Sequence, residues 1–318
     1  MEKQHAQAWL SEFAGTTILL FISVLVARWL VGPDSALASA VPGVASRAAI
    51  DGVIIGAVVG LLIISPFGLS SGGHFNPAVS VTMWLLRALP GRDAGPYVVA
   101  QLAGSFVGVL LGRAVVGAVM AGPAVRYAAI HPAGRWPGGA VFAGEAISFV
   151  ILMAVVVAVL VRPALARWSP AVVAAGVAVL IFAGALTSGG SFNPARQLLP
   201  LLLAGRLTYL WAYLLGPIAG AVVLAIVINT RGLPRPLSCS LCPTLSGPPP
   251  KPIRSVGGAV LIRALVRVGG LVVAEPAQSQ VRNDHLAEGQ RREEHDHDAQ
   301  PVEEREGLQE PHGRGAKD

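Results

Sequence analysis

Apolar residues dominate the first 230 positions in six long blocks, at about 9–31, 48–67, 96–120, 138–161, 171–186 and 209–229, each with few or no charged residues. Each block is close to the roughly 20 helical residues that cross a ~30 Å hydrocarbon layer. The pattern therefore predicts six membrane-spanning helices. The first block is longer than the apolar core of a secretory signal and has no small-residue cleavage site behind it, so no processing is expected.

Composition agrees with the pattern and then divides the chain. Of the 318 residues, 53% are hydrophobic and 13% charged, which is membrane-protein composition. From Arg231 onward, Pro, Gly and charged residues replace the apolar blocks, giving an apolar, membrane-spanning region at 1–230 and a tail at 231–318. The tail holds twelve basic and twelve acidic residues, so the net charge of +6 belongs to residues 1–230. Such a tail buries too little apolar surface to fold alone and reads as disordered and cytoplasmic. Its one apolar stretch, 253–274, contains Arg263 and Arg267, each costing about 2.5–3.5 kcal/mol at a bilayer centre. That stretch reads as surface-lying or unstructured, not as a seventh span. Cys239 and Cys242 form a single Cys-x-x-Cys with no second pair, and the tail histidines are scattered, so no metal site is expected. Neither a cofactor nor a nucleic-acid partner is expected.

Basic residues set an orientation. With an even number of spans, one side collects Lys3, Arg87, Arg92, Arg162, Arg167, Arg231 and Arg235, and the other Arg47, Arg126, Arg135 and Arg206. The bias predicts cytoplasmic termini in a multi-pass protein of the plasma membrane.

An internal repeat carries the functional information. Ser71-Gly72-Gly73-His74-Phe75-Asn76-Pro77-Ala78 recurs as Ser188-Gly189-Gly190-Ser191-Phe192-Asn193-Pro194-Ala195, with seven of eight residues identical. An odd number of spans separates the copies, so they enter the membrane from opposite faces and the repeat (halves about 8–120 and 138–230) is inverted. Ala100, Gly104 and Gly108 match Ala212, Gly216 and Gly220 as small-xxx-small rows, and the halves are expected to cross there.

The Asn-Pro-Ala tripeptides start helices: Asn is a favoured N-cap, and Pro at the first turn forfeits no intrahelical bond. Taking the next charges, Arg87 and Arg206, as end markers gives helices of roughly 16–20 Å, about half a membrane. Two half-helices from opposite faces bring their N-termini together near the midplane. Irregular backbone at that depth is tolerated only inside protein or beside a watery cavity, so the pattern implies a pore. Its central constriction is assigned to Asn76, Pro77, Ala78, Asn193, Pro194 and Ala195. Each helix start carries roughly half a positive charge, which disfavours protons and metal ions. The asparagine amides donate to a passing oxygen, and loop carbonyls accept.

These residues resemble the aquaporin and glycerol-facilitator family, also called the major intrinsic protein family. The resemblance spans about 11–229 and includes Ser11-Glu12-Phe13-Ala14-Gly15-Thr16, Ala100-Gln101-x-x-Gly104 and Ser191-Phe192-Asn193-Pro194-Ala195-Arg196. It implies an all-α membrane fold of six transmembrane helices plus two re-entrant half-helices, one pore per subunit, and a homotetramer. It further implies a selectivity filter of four positions, which counting from the motifs places at Gly56, Ile181, Gly190 and Arg196. Strict water channels resemble a narrower ring, with an aromatic at the position of Gly56 and a histidine at that of Ile181, so this ring should be wider and less polar. Gln197 departs from glycerol facilitators, which carry Asp there. The family also implies that Glu12 and Glu145 accept hydrogen bonds from the re-entrant backbone, that His74 holds the first loop and that Gln101 braces the third helix.

The expected function is a passive channel for water and small neutral solutes, such as polyols, urea or uncharged metalloid acids. The alternative is an ion-coupled secondary transporter, since inverted repeats and broken helices serve those as well. Beyond Glu12 and Glu145 the spans offer little acidic chemistry for a coupling ion. No nucleophile–base pair or metal-ligand spacing lies within the spans, so an enzyme is not expected.

Overall fold

The computed structural model describes residues 2–132, 134 and 136–234. Arg135, Arg235 and the tail features Cys239, Cys242 and 253–274 lie outside them. Among the described residues every regular element is helical. In chain order these are α1 (Glu2–Val31), α2 (Ala36–Ala40), α3 (Val44–Ile64), α4 (Pro66–Ser71), α5 (Pro77–Leu85), α6 (Gly91–Val116), α7 (Gly138–Leu160), α8 (Pro163–Ala166), α9 (Ser169–Gly184), α10 (Pro194–Leu203) and α11 (Leu210–Thr230). Two 3-10 turns, Gly117–Ala121 and Arg126–Ala128, lie between α6 and α7.

Five helices are long and apolar enough to cross a membrane: α1, α3, α6 with its 3-10 extension, α7 and α11. The remaining expected span, 171–186, is the 16-residue helix α9, about 24 Å long at 1.5 Å per residue. It stops short because the chain turns at Gly184, whose carbonyl accepts the N–H groups of Thr187 (2.8 Å) and Gly189 (2.7 Å). The half-helices are also shorter than the charge markers suggested. With nine and ten residues, α5 and α10 reach about 14 and 15 Å. Backbone fold-back ends them, not charge: Ala88 and Leu89 donate to the Met83 carbonyl, and Arg206 donates to that of Leu201.

Helix packing repeats itself when the halves are exchanged. The pairing of α1 with α6 is matched by α7 with α11, α1 with α3 by α7 with α9, α5 with α6 by α10 with α11, and α5 with α11 by α10 with α6. The pairing of α3 with α9 is its own counterpart. The far ends of the half-helices lie at opposite ends of α11. Leu85, at the end of α5, accepts a hydrogen bond from Asn229 near the C-terminus of α11 (3.2 Å), whereas α10 runs by a short connection into the N-terminus of α11. The half-helices thus enter from opposite faces.

The small-residue rows close helices within each half, contrary to the expectation that the halves cross on them. A methyl group added at Gly104 or Gly108 would stand 2.3 or 2.4 Å from the Phe13 or Thr17 carbonyl oxygen of α1, and one at Gly216 or Gly220 2.8 or 2.6 Å from the Phe142 or Ala146 carbonyl oxygen of α7. The halves cross instead where Gly52, Gly56 and Gly60 of α3 meet α9. There an added methyl would lie 2.6 Å from the Ala178 carbonyl oxygen, 2.3 Å from that of Ala174, and 3.0 Å from the Ala174 Cβ. Outside the bundle, large apolar side chains such as Val53, Leu61, Val99 and Val179 are exposed, a surface suited to lipid.

Filling the crossing should cost stability. Gly56→Leu is expected to destabilise the detergent-solubilised protein by about 1–3 kcal/mol, read as a lowered thermal midpoint. Gly95→Ala, whose added methyl meets nothing within 4 Å, should leave the midpoint unchanged or slightly raised.

Candidate functional site

Each re-entrant loop is held by one buried carboxylate. Glu12 accepts from the backbone N–H groups of His74 (3.0 Å) and Phe75 (2.7 Å), the Ser71 hydroxyl (2.6 Å) and the Gln101 amide (2.7 Å). Glu145 accepts from the N–H groups of Ser191 (3.2 Å) and Phe192 (2.5 Å) and the Ser188 hydroxyl (2.7 Å). Tyr97 and Tyr213 add a second tie, donating to the carbonyls of Ser71 (2.7 Å) and Ser188 (2.5 Å). His74 is tied to the first loop's own half-helix through Ser80 (3.0 Å), which Gln101 also reaches (2.9 Å). The ties hold unfavourable backbone. Phe75 and Phe192 have φ of 46° and 36°, and the glycines before them, Gly73 and Gly190, have 62° and 68°. A side-chain-bearing residue in that region costs about 1–3 kcal/mol, here offset by charge-assisted hydrogen bonds to its own N–H.

The two loops meet through their asparagines. Asn76 caps α5 by accepting from the Ala78 N–H (2.9 Å), and Asn193 caps α10 by accepting from the Ala195 N–H (3.0 Å). Across the junction the Asn76 amide donates to the Phe192 carbonyl (3.0 Å) and the Asn193 amide to the Phe75 carbonyl (2.9 Å). An amide has two N–H donors, so each asparagine keeps one for another acceptor.

A cavity of about 90 Å³ runs past this junction, room for several water molecules. Its polar side is formed by the loops and half-helices, with His74, Asn76, Ser191, Asn193 and Arg196. Facing them is an apolar wall that includes Ile55, Val59, Leu152, Val156, Val177 and Ile181. Of the residues assigned to the site from sequence, Asn76, Asn193, Ile181, Gly190 and Arg196 line this cavity together. Pro77, Ala78, Pro194 and Ala195 stand behind them as the buried first turns of the half-helices.

Gly56 does not line the cavity. It faces the Ala174 backbone at the α3–α9 crossing, and its neighbour Ile55 takes the place on the wall, with Val59 and Ile63 one and two turns further along. One residue along a helix is a rotation of about 100°. Counting from the motif cannot fix that angle; the packing of the Gly52, Gly56 and Gly60 row does. That row, spaced four residues apart, was the available signal: if it packs on a neighbour, the adjacent row Ile55, Val59 and Ile63 must turn elsewhere.

Arg196 is 8% exposed, and its Nε and Nη1 have no hydrogen-bond partner among the described residues. Its guanidinium does not rest on a loop carbonyl, and Asp51 and Glu145 lie within its electrostatic reach. Gln197 points elsewhere: its amide makes a pair of bonds with the backbone of Ile130, accepting from the N–H (3.2 Å) and donating to the carbonyl (3.3 Å). This strap lays Ile130 and His131 against Gly189, next to the cavity-lining Gly190. It follows three successive residues with left-handed backbone, Arg126, Tyr127 and Ala128. Nothing in the local sequence marked His131. Burial, and then Arg126 and Arg206, hold its imidazole below the ordinary value of 6.5.

A bundle of apolar helices in which two half-helices meet at a polar-sided cavity is a membrane channel. The chain matches the family model described as Major intrinsic protein over residues 1–228, and it belongs to that family, whose members are passive channels for water and small solutes. It is similar to "Glycerol uptake facilitator protein-like 6" of Lactiplantibacillus plantarum, 30% identical over 70% of this chain and 97% of that protein. It is likewise similar to "Probable aquaporin AqpM" of Archaeoglobus fulgidus, 31% identical over 70% of this chain and 96% of that protein. In fold it resembles the X-ray structure of the aquaglyceroporin from Plasmodium falciparum, with a TM-score of 0.53 and 23% identity over 71% of this chain and 96% of that one.

The depressed His131 value gives the strap a pH dependence. The opened loop binds the proton more readily than the closed one, so closure is stable above about pH 6.5 and weakens as pH falls from there toward the depressed folded value. Hydrogen exchange at the Ile130 amide, corrected for its intrinsic rate, should accelerate below that pH in the wild type, and His131→Gln should remove the acceleration.

Proposed function

We propose that this channel conducts water together with small neutral solutes of glycerol or urea size, and excludes protons and ions. The observation that supports this most directly is the pairing of two free asparagine N–H donors and the unbonded Arg196 guanidinium against a wall of aliphatic side chains. A polyol suits such a surface, with hydroxyls on the polar side and carbons on the apolar one. Two helix N-termini and a guanidinium place positive potential along the same path, which opposes cations.

The filter in this reading is Ile55, Ile181, Gly190 and Arg196. None of these four residues is aromatic or a histidine, which favours solutes larger than water. Gly56 contributes indirectly by letting α9 approach α3. In line with the basic residues of the loops and the family relationship, the protein acts in the plasma membrane with its termini cytoplasmic, as a homotetramer of independent pores. A coupled transporter has no support at the loops, where the carboxylates of Glu12 and Glu145 are engaged in hydrogen bonds to the backbone and side chains they hold.

Stopped-flow measurements on proteoliposomes test the reading. The protein should pass water, glycerol and urea down their gradients, with no dependence on Na⁺ or on a proton gradient. Ile55→Phe combined with Ile181→His should reduce glycerol flux at least ten-fold while leaving water flux within about three-fold. Flux that requires an ion gradient would overturn the channel, and parallel loss of water and glycerol would overturn the filter.

A further inference from the structure

Asp51 belongs to neither the loop-holding carboxylates nor the sequence-derived filter. On α3 the residues at successive four-residue steps, Ile55, Val59 and Ile63, all line the cavity. Four residues apart on a helix share one face. Extended one turn toward the start of α3, the same row reaches Asp51, one turn beyond Ile55.

Asp51 is only partly buried. Its carboxylate makes no hydrogen bond or ion pair among the described residues. Arg47, one turn further out, donates to the carbonyls of Val41 (2.6 Å) and Ala38 (2.7 Å) and forms no ion pair with Asp51. Arg196, which lines the cavity, holds two buried N–H-bearing atoms without acceptors among the described residues. Asp51 lies within electrostatic reach of that guanidinium. An acceptor and a donor of opposite charge, neither hydrogen-bonded within the described residues, thus lie within electrostatic reach of each other beside the cavity that Arg196, Ile55 and Ile181 line.

Resting on the channel reading above, we propose that Asp51 is a specificity-determining residue of the outer mouth. It accepts hydrogen bonds from the O–H or N–H groups of a neutral solute while Arg196 donates to an oxygen of the same molecule. Solutes with several donors and an acceptor, polyols and urea, gain from both contacts as they shed water. Water, small enough to retain hydrogen-bonding neighbours in the cavity, gains little. Hydrogen bonds to a carboxylate are about twice as strong as those to a neutral oxygen, so an amide of the same shape replaces Asp51 poorly.

Proteoliposomes carrying wild type, Asp51→Asn and Asp51→Glu, matched for reconstituted protein, decide it. The readout is the ratio of glycerol to water permeability, with urea as a second solute. Asp51→Asn should lower the ratio about three- to ten-fold with water flux within two-fold of wild type, and Asp51→Glu should restore most of it. An unchanged ratio, or equal loss of both fluxes as expected of a merely structural carboxylate, overturns the proposal. A wild type that conducts neither solute nor water defeats the channel reading itself and this inference with it. A wild type that conducts both, beside an unresponsive Asp51→Asn, defeats this inference alone.

Discussion

Backbone that leaves the helix halfway across a bilayer must find partners for its N–H and C=O groups inside the protein. Here two buried carboxylates meet that requirement. Glu12 and Glu145 project from α1 and α7 and each collects two successive loop N–H groups and a serine hydroxyl. Without them the left-handed phenylalanines before each Asn-Pro-Ala would have no compensation for their backbone strain. The loops would then have no fixed place from which to present Asn76 and Asn193. These two acidic residues are thus the anchors of the loops that form the cavity's centre.

Close helix packing makes those anchors effective. Gly104 and Gly108 seat α6 on α1, and Gly216 and Gly220 seat α11 on α7, so each glutamate is presented to its loop by a helix that cannot draw away. A separate glycine row on α3 brings the two halves together. The same crossing turns Ile55 and Val59 onto the cavity wall. A residue absent from the path, Gly56, thereby determines which residues are on it.

The cavity that results is one-sided in its chemistry. Asparagine amides, loop groups and Arg196 form a polar side, while aliphatic residues of α3, α7 and α9 form the other. A permeant molecule is dehydrated against the aliphatic wall and rehydrated, in effect, by fixed donors and acceptors opposite. Gln197 serves this arrangement from outside the cavity lining, tying the Ile130–His131 segment over the second loop.

Much of this was legible along the chain. Apolar blocks long enough to span a bilayer, the doubled Asn-Pro-Ala and the odd number of spans between its copies determined a helical membrane protein with two inverted half-helices, because length, hydropathy and capping chemistry are local properties. Helix ends were less legible: α5 and α10 end where backbone bonds fold back, and charge spacing does not report that. Rotations about helix axes were not legible at all. Whether Gly56 or Ile55 faces the path, whether a glycine row joins helices within a half or between halves, and that Asp51 shares a face with the cavity wall depend on which neighbour each helix packs against. A helix turns about 100° per residue, so these facts were decided only by the tertiary structure.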